Sequence, residues 1–413
     1  MKETKFKNTE IGRIPDDWEV RTINSFCSVK TGPFGSMLHA EDYVAKGTPI
    51  VTTEHFKNGI LPLVGKDIPQ VGIEDLKRMS SYTLTKDDIV FSRVGSVDIN
   101  ALVTVRQKGW LFSGRVLRVR PFKQTDSLYL HYGLLKHSVR SDIVSRAVGL
   151  TMASINTKIL GETELSLPPL NEQHSIASAL TSIDNLISSL GKLIEKKKNI
   201  KQGAMQQLLS GKIRLKEFTE PWVYRKISEI ATTSSGGTPS RSIPNYYYGD
   251  IKWFTTTELK DNYLYDSVEH ITREALNNSS AKMFSANTIL MAMYGATIGK
   301  LGVLKEPSTT NQACCAIKCN DIVEIFLFYI LLYNRKSIIE KGCGAGQPNI
   351  SQAIVNELSF LVPPCEKEQQ AIANILSKMD NEITALEAKR AKYEAIKQGM
   401  MQQLLTGKIR LIS

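Results

Sequence analysis

Residues 172–215 and 368–411 are two copies of one segment, the first closing with KQGAMQQLLSGKIRL and the second with KQGMMQQLLTGKIRL. Glu172 and Glu368 open the copies 196 positions apart, and that offset holds through Leu215 and Leu411. A fixed offset over a whole segment means one structural unit used twice, so the chain folds as two related halves. Elsewhere the match is looser. Trp18, Ile23 and Thr31-Gly32 correspond to Trp222, Ile227 and Ser235-Gly236 at 204, Asp88-Ile89-Val90 with Gly95 to Thr288-Ile289-Leu290 with Gly295 at 200, and Ile155 with Pro168-Pro169 to Ile350 with Pro363-Pro364 at 195. Such drift marks loop insertions and deletions. Near-identical joints with diverged globules imply a shared frame carrying two different readers.

The copies read as long helices. In the first, Ile176, Leu180, Ile183, Ile187, Leu190 and Ile194 step by four and three in alternation. The second repeats the pattern with Ile372, Leu376, Met379, Ile383, Leu386, Arg390 and Tyr393. A stripe of this period is a coiled-coil seam. The proline pairs bar the helix from extending upstream, and Gly211 and Gly407 supply its stop. Each helix is expected to span about 38 residues, the first over 172–209, or roughly 57 Å. An amphipathic helix can lie on its own globule. Two matching narrow stripes favour an antiparallel pair with a globule at each end. LKEFTEPW follows the first helix and a similar FKNTEIGRIPDDW opens the chain, so the polypeptide reads as a circle cut at its termini.

At 413 residues the chain holds two or three domains, and a 42% apolar fraction is that of a globular protein. A formal net charge of +11 favours a polyanionic partner. Neither a lipidation motif nor a basic amphipathic anchor supports a membrane, so nucleic acid is expected. Residues 1–10 lack a secretory pattern, and the longest apolar run, 325–333, is too short to cross a bilayer. The expected location is cytoplasmic. Cys314, Cys315 and Cys319 have no second Cys/His pair at zinc spacing and read as core residues, and no metal site is expected.

The globules read as α/β. Residues 50–53, 88–91, 101–105 and 116–119 have strand-like β-branched content, and residues 128–144 and 325–339 have helical spacing. Four segments follow: a domain over 1–168, the central repeated helix over 169–215, a second domain over 216–363 and the C-terminal repeated helix over 364–413.

Together the KQGxMQQLLxGKIRL closures, the Pro-Pro…Glu-Gln helix starts, the FTEPW joint and the GQPNIS segment at 346–351 resemble the specificity subunit of type I restriction–modification systems over essentially the whole chain. The resemblance implies two target-recognition domains, each reading one half of a split DNA site across a spacer set by the helices. It further implies docking of two adenine-N6 methyltransferase subunits and, in the full complex, ATP-dependent restriction subunits. S-adenosylmethionine, ATP and Mg would then belong to those partners, with no cofactor in this chain.

Catalysis by the chain itself is not expected. The proline pairs sit in SLPPL and LVPPC, without the preceding Asn or Asp and the following aromatic residue that hold a flipped adenine. Asp250 with Glu258 and Lys260 imitates a nuclease carboxylate set only loosely, and the first half has Glu54-His55-Phe56 there. A free-standing DNA-binding protein, or a recognition subunit serving a methyltransferase without a nuclease, is the competing reading.

Base edges and phosphates are contacted by Arg, Lys, Asn, Gln, Ser, Thr and Tyr, and loops rich in them recur at matched places. Lys30 and Ser36 bound one such loop, matched by 238–241 with Arg241. Arg93 and Ser96 match Tyr294 and Thr297, and Thr151 and Asn156 match Gln347, Asn349 and Ser351. Tyr246 begins an aromatic triplet near Arg241. These residues are the candidate DNA contacts, against the plainer roles of solvated loops and packing tyrosines.

Overall fold

The computed structural model describes residues 5–33, 38–65, 67–149, 151–342 and 349–412. Internal packing divides the chain into a first unit, 1–191 with 388–413, and a second, 192–387. Each unit therefore holds one globule, the start of one long helix and the end of the other. The four expected segments follow helix ends, whereas the two units follow packing.

The long helices are Leu170–Leu208 and Glu366–Leu404, 39 residues each. The first starts directly after Pro169, a position where the ring removes only an amide with no intrahelical partner. Gly211 and Gly407 stop them at the same left-handed φ of 69°, with Ile213 N–H donating to Gln207 O and Ile409 N–H to Gln403 O, both at 3.2 Å.

Seam residues Ile176, Leu180, Ile183, Leu190, Ile372, Leu376 and Ile383 are buried, while Ile187, Met379 and Leu386 are half-buried. Both expected coverings occur. In the first unit Ile176 and Leu180 share a core with Trp18, Tyr129 and Leu165 of the globule and with Met401, Leu404 and Leu405 from the end of the second helix. In the second unit Ile372 and Leu376 pack with Ile227, Phe326 and Leu327, and with Met205, Leu208 and Leu209 from the end of the first. Start beside end is the antiparallel arrangement. Past Leu386 the stripe fades, since Arg390 is exposed and pairs with Glu394.

Polar joints repeat within each unit. In the first, the carboxylate of Glu172 accepts from Trp18 Nε1 at 3.0 Å and from Arg410 Nε and Nη2 at 2.8 Å each. In the second, Glu368 accepts from Trp222 Nε1 at 3.3 Å and from Arg214 Nε and Nη2 at 2.7 Å each. The closure arginine of each copy thus ties to the opening glutamate of the other. Gln173 and Gln369 donate to Pro168 O and Pro363 O and accept the amides of Asp126 and Val323, at the entry to the helices that follow each sheet. Asp184 takes the Tyr132 hydroxyl at 2.7 Å and Lys397 at 2.6 Å, and Asp380 takes Tyr329 at 2.7 Å and Lys201 at 2.5 Å. These shared ties explain why the joint sequences are near-identical.

The first globule is built on a sheet of β1 (Cys27–Thr31), β2 (Ile89–Ser92), β3 (Asn100–Leu102) and β4 (Val116–Pro121), in the order β1-β4-β2-β3 and antiparallel throughout. The second uses β5 (Ala231–Ser235), β6 (Asn262–Leu264), β7 (Ile289–Ala292), β8 (Leu301–Leu304) and β9 (Cys314–Cys319), in the order β5-β9-β7-β8-β6. The extra edge strand β6 runs parallel to β8. A smaller sheet packs on one face of each. Helices Ser127–Leu134 and His137–Ser145, or Glu324–Tyr333 and Arg335–Gly342, cover the other face. The helical spacing read over 128–144 and over 325–339 is in each case carried by two helices. Strand content at 50–53 ends at Val51, where a 3-10 turn, Thr53–Phe56, follows. Among the described residues no helix is long and apolar enough to cross a membrane.

His131 distinguishes the first unit. It stands where the second has Phe328, with its Nδ1 2.6 Å from Asn100 Oδ1. Burial first, then the Lys397 ammonium, push its pKa down to about 4, against a weaker opposing pull from Asp184. A depressed folded-state pKa makes the contribution complete above the unfolded value near 6.5 and lost as pH falls toward 4. The first unit is thus expected to lose up to about 3 kcal/mol over that window. His131→Phe should remove this part of the pH dependence in urea unfolding. An unchanged profile would contradict the assignment.

Candidate nucleic-acid interface

Antiparallel pairing sets which loops meet. In the first unit Thr31 lies opposite Leu117, Val116 opposite Ser92 and Phe91 opposite Asn100, so the end of β1, the end of β2 and the start of β4 share one edge of the sheet. The expected loops beginning at Lys30 and Arg93 leave from that edge. The segment with Thr151 joins them through Gly95 N–H to Ala153 O at 2.8 Å and Ile155 N–H to Arg93 O at 2.9 Å. In the second unit Ser235 lies opposite Cys315 and Ala292 opposite Cys314, which brings together the loops after β5 and β7. Asn349 bridges to Tyr294, and Ile350 N–H donates to Met293 O at 2.9 Å. The same three-loop cluster thus forms in each unit. Gly32 and Gly236 occupy matched places where a Cβ would collide with backbone carbonyls of Ser113 and Thr310, which is why both turns need glycine.

Individual side chains divide by role. Arg93 Nη1 donates to Gly114 O at 2.8 Å and its Nε to Ile155 O at 3.3 Å, so this guanidinium braces the loops. Asn156 caps the short helix Thr157–Gly161, accepting Ile159 N–H at 2.8 Å. Arg241 forms a bidentate pair with Glu269 at 2.5 and 2.8 Å and lies 4.1 Å from the Tyr247 ring centre. Tyr246 is buried with Trp253 and Ile271, and the exposed member of its triplet is Tyr248, at 79%. Ser96, Thr151, Tyr294 and Asn349 are exposed on the cluster, and Thr297 is half-buried, its hydroxyl directed to Tyr294 O. Ser36 and Gln347, with the rest of 346–348, lie outside the described residues.

Lys30 is half-buried on β1. Burial, then Arg118 and Arg120 on β4, hold its ammonium below the ordinary lysine value. Arg120 is neutralised by Asp88 at 2.6 and 2.7 Å, while Arg118 is 6% exposed with its Nε unpartnered. Arg118 and Arg120 were missed from sequence, although the alternation in VLRVRP places both arginines on one face of a strand.

The nuclease-like set has other work. Glu258 caps a turn by accepting Thr255 N–H at 2.7 Å, and its other oxygen accepts Val268 N–H at 2.8 Å. Cys314 and Cys315 are core residues of β9, with burial pushing both thiols up to about 12. Among the described residues no three of His, Cys, Asp and Glu are placed to share an ion.

The sequence pattern of the type I restriction modification DNA specificity domain matches residues 15–202 and 219–398. The chain is 29% identical to the type I restriction enzyme MjaVIII specificity subunit of Methanocaldococcus jannaschii, over 99% of this chain and 97% of that protein. It is 28% identical to the putative MjaX specificity subunit of the same organism, over 99% and 98%. Among solved structures, the S subunit of a type I restriction–modification system from M. genitalium has a similar fold, with a TM-score of 0.62 at 18% identity over 94% of this chain and 96% of that one.

Proposed function

This chain belongs to the type I restriction–modification DNA specificity family, and on that premise we propose that its two units each read one half of a bipartite duplex target across a spacer set by the long helices. As a specificity subunit it is the DNA-recognising, non-catalytic member of a restriction–modification complex, and its partners are DNA and the other subunits of that complex. The finer assembly we infer is two adenine-N6 methyltransferase subunits, joined by restriction subunits in the complete enzyme. S-adenosylmethionine, ATP and Mg belong to those partners, and the complex works on cytoplasmic DNA.

The observation that carries this reading is the loop cluster formed at the same sheet edge in both units, with different side chains on it. One scaffold presenting two chemistries suits two unlike half-sites, since base contacts specify and backbone contacts position. The candidate contacts in the first half-site are Lys30, Ser36, Ser96 and Thr151, with Arg93 and Asn156 bracing the segments that carry Ser96 and Thr151. In the second they are Tyr294, Thr297, Gln347 and Asn349, with Arg241 and Tyr246 shaping the neighbouring segment.

Segment exchange tests it. Replacing residues 30–154 with the matching segment of a relative should change one half of the methylated sequence and leave the other intact, when the subunit acts with its methyltransferase and sites are mapped across a genome. Both halves changing together would show that the units are not independent readers.

A further inference from the structure

Across one matched pair of positions the units share no side chain, yet each places an ammonium there. In the first unit Lys30 of β1 lies opposite Arg118 of β4, itself opposite Val90 of β2. The same row in the second unit is Ser234, Ala316 and Leu290. The other position of the pair precedes β2 and β7. There Leu84 N–H donates to Trp110 O at 2.7 Å and Phe284 N–H to Ser308 O at 2.8 Å, which aligns Tyr82 with Lys282. Lys30 Nζ donates to Ser81 O at 3.1 Å and stands 4.2 Å from the centre of the Tyr82 ring. Lys282 Nζ donates to Ser234 Oγ at 2.9 Å. The cation therefore comes from the strand in one unit and from the facing segment in the other.

Packing does not explain the exchange, because a ring stack in one unit is replaced by a hydroxyl contact in the other. Charge is what the two arrangements have in common. Both acceptors are neutral oxygens, and among the described residues neither lysine pairs with a carboxylate. The surroundings add to the field. Arg118 flanks Lys30, and Lys318 is exposed on β9 at the place of Arg120. Two half-sites differ in their bases but present the same sugar-phosphate backbone. A feature kept in charge and not in residue fits what the half-sites share. Lysine, a point charge on a flexible stem, suits a phosphate better than a base edge.

We propose that Lys30 and Lys282 are equivalent phosphate contacts, one for each half of the target. This rests on the reading that each unit binds half of a duplex. The test uses the full chain with its methyltransferase partner and a duplex carrying the methylated site mapped in the host. Affinity is measured from low to moderate salt. Lys30→Gln and Lys282→Gln should each make the slope of log affinity against log salt shallower by about 0.9, and together by about 1.8. Methylated positions should stay unchanged. A relocated charge, Lys30→Ser with Tyr82→Lys, copies the second unit's arrangement into the first and should restore the native slope. It also separates lost charge from lost folding. The proposal is overturned by unaltered slopes in the single variants, by failure of the relocated charge to restore the slope, or by altered base preference in one half-site. A native complex that does not prefer the mapped duplex over a scrambled one would sink the specificity reading itself, a result distinct from the other three.

Discussion

Replacing Glu172 with alanine is expected to destabilise the first unit by about 3–5 kcal/mol, the usual cost of removing one member of a buried ion pair. The Glu172 side chain is 1% exposed and that of Arg410 is 9% exposed. Without the carboxylate, the Trp18 indole N–H loses its acceptor inside the core, and among the described residues the one carboxylate left to Arg410 is Asp17, at 2.9 and 2.7 Å. Asp17 is half exposed, so water weakens what it can return. Hydrogen exchange should show lost protection in peptides from 1–191 and 388–413 and native protection in 192–387. Glu368→Ala should produce the mirror result, since Arg214 and Trp222 hold the same geometry there. Replacing Glu172 and Arg410 together with methionine should cost less than Glu172→Ala, because no buried charge is left unpaired. A loss below about 1 kcal/mol for Glu172→Ala would show that the joint is not a principal tie of that unit.

Inserting four residues after Leu190 and four after Leu386, with the seam pattern kept, should lengthen the spacer between the two methylated half-sequences. Leu190 and Leu386 are matched positions of the two copies, so both helices gain the same length. Four residues add about 6 Å and turn the downstream helix by roughly 40° beyond a full revolution. At about 3.4 Å per base pair this amounts to one or two added pairs. Mapped sites should retain both half-sequences across the longer spacer. Activity retained on the original spacer would mean that the helices do not set the distance.

Several features were legible because they depend on periodicity. The seam from Ile176 to Leu190, its counterpart from Ile372 to Leu386, and the stops at Gly211 and Gly407 follow from helical spacing and from the left-handed conformation that glycine accepts. The loops, too, were legible as a group, since a strand end followed by glycine and small polar residues is a turn in either half. Individual residues on them were harder. Arg93, Asn156 and Arg241 belong to residue types that can contact DNA, yet in this fold they hold carbonyls, an amide and a carboxylate. The same donors serve both purposes, and only the neighbours decide between them. Tyr246 and Tyr248 show this most plainly: two residues apart and chemically identical, one is buried and the other is 79% exposed.

By itself the sequence determined that there would be two related halves, that each would end in a long helix, and that the helices would carry matching seams. Those properties are local or periodic, and a repeat at constant offset makes them visible without coordinates. Only the tertiary structure decided that Arg410 closes on Glu172 and Arg214 on Glu368, that 388–413 completes the unit begun at the other end of the chain, and that an ammonium is supplied by Lys30 in one unit and Lys282 in the other. Contacts between residues far apart in the chain depend on which surfaces packing brings together, and spacing along the chain does not encode that.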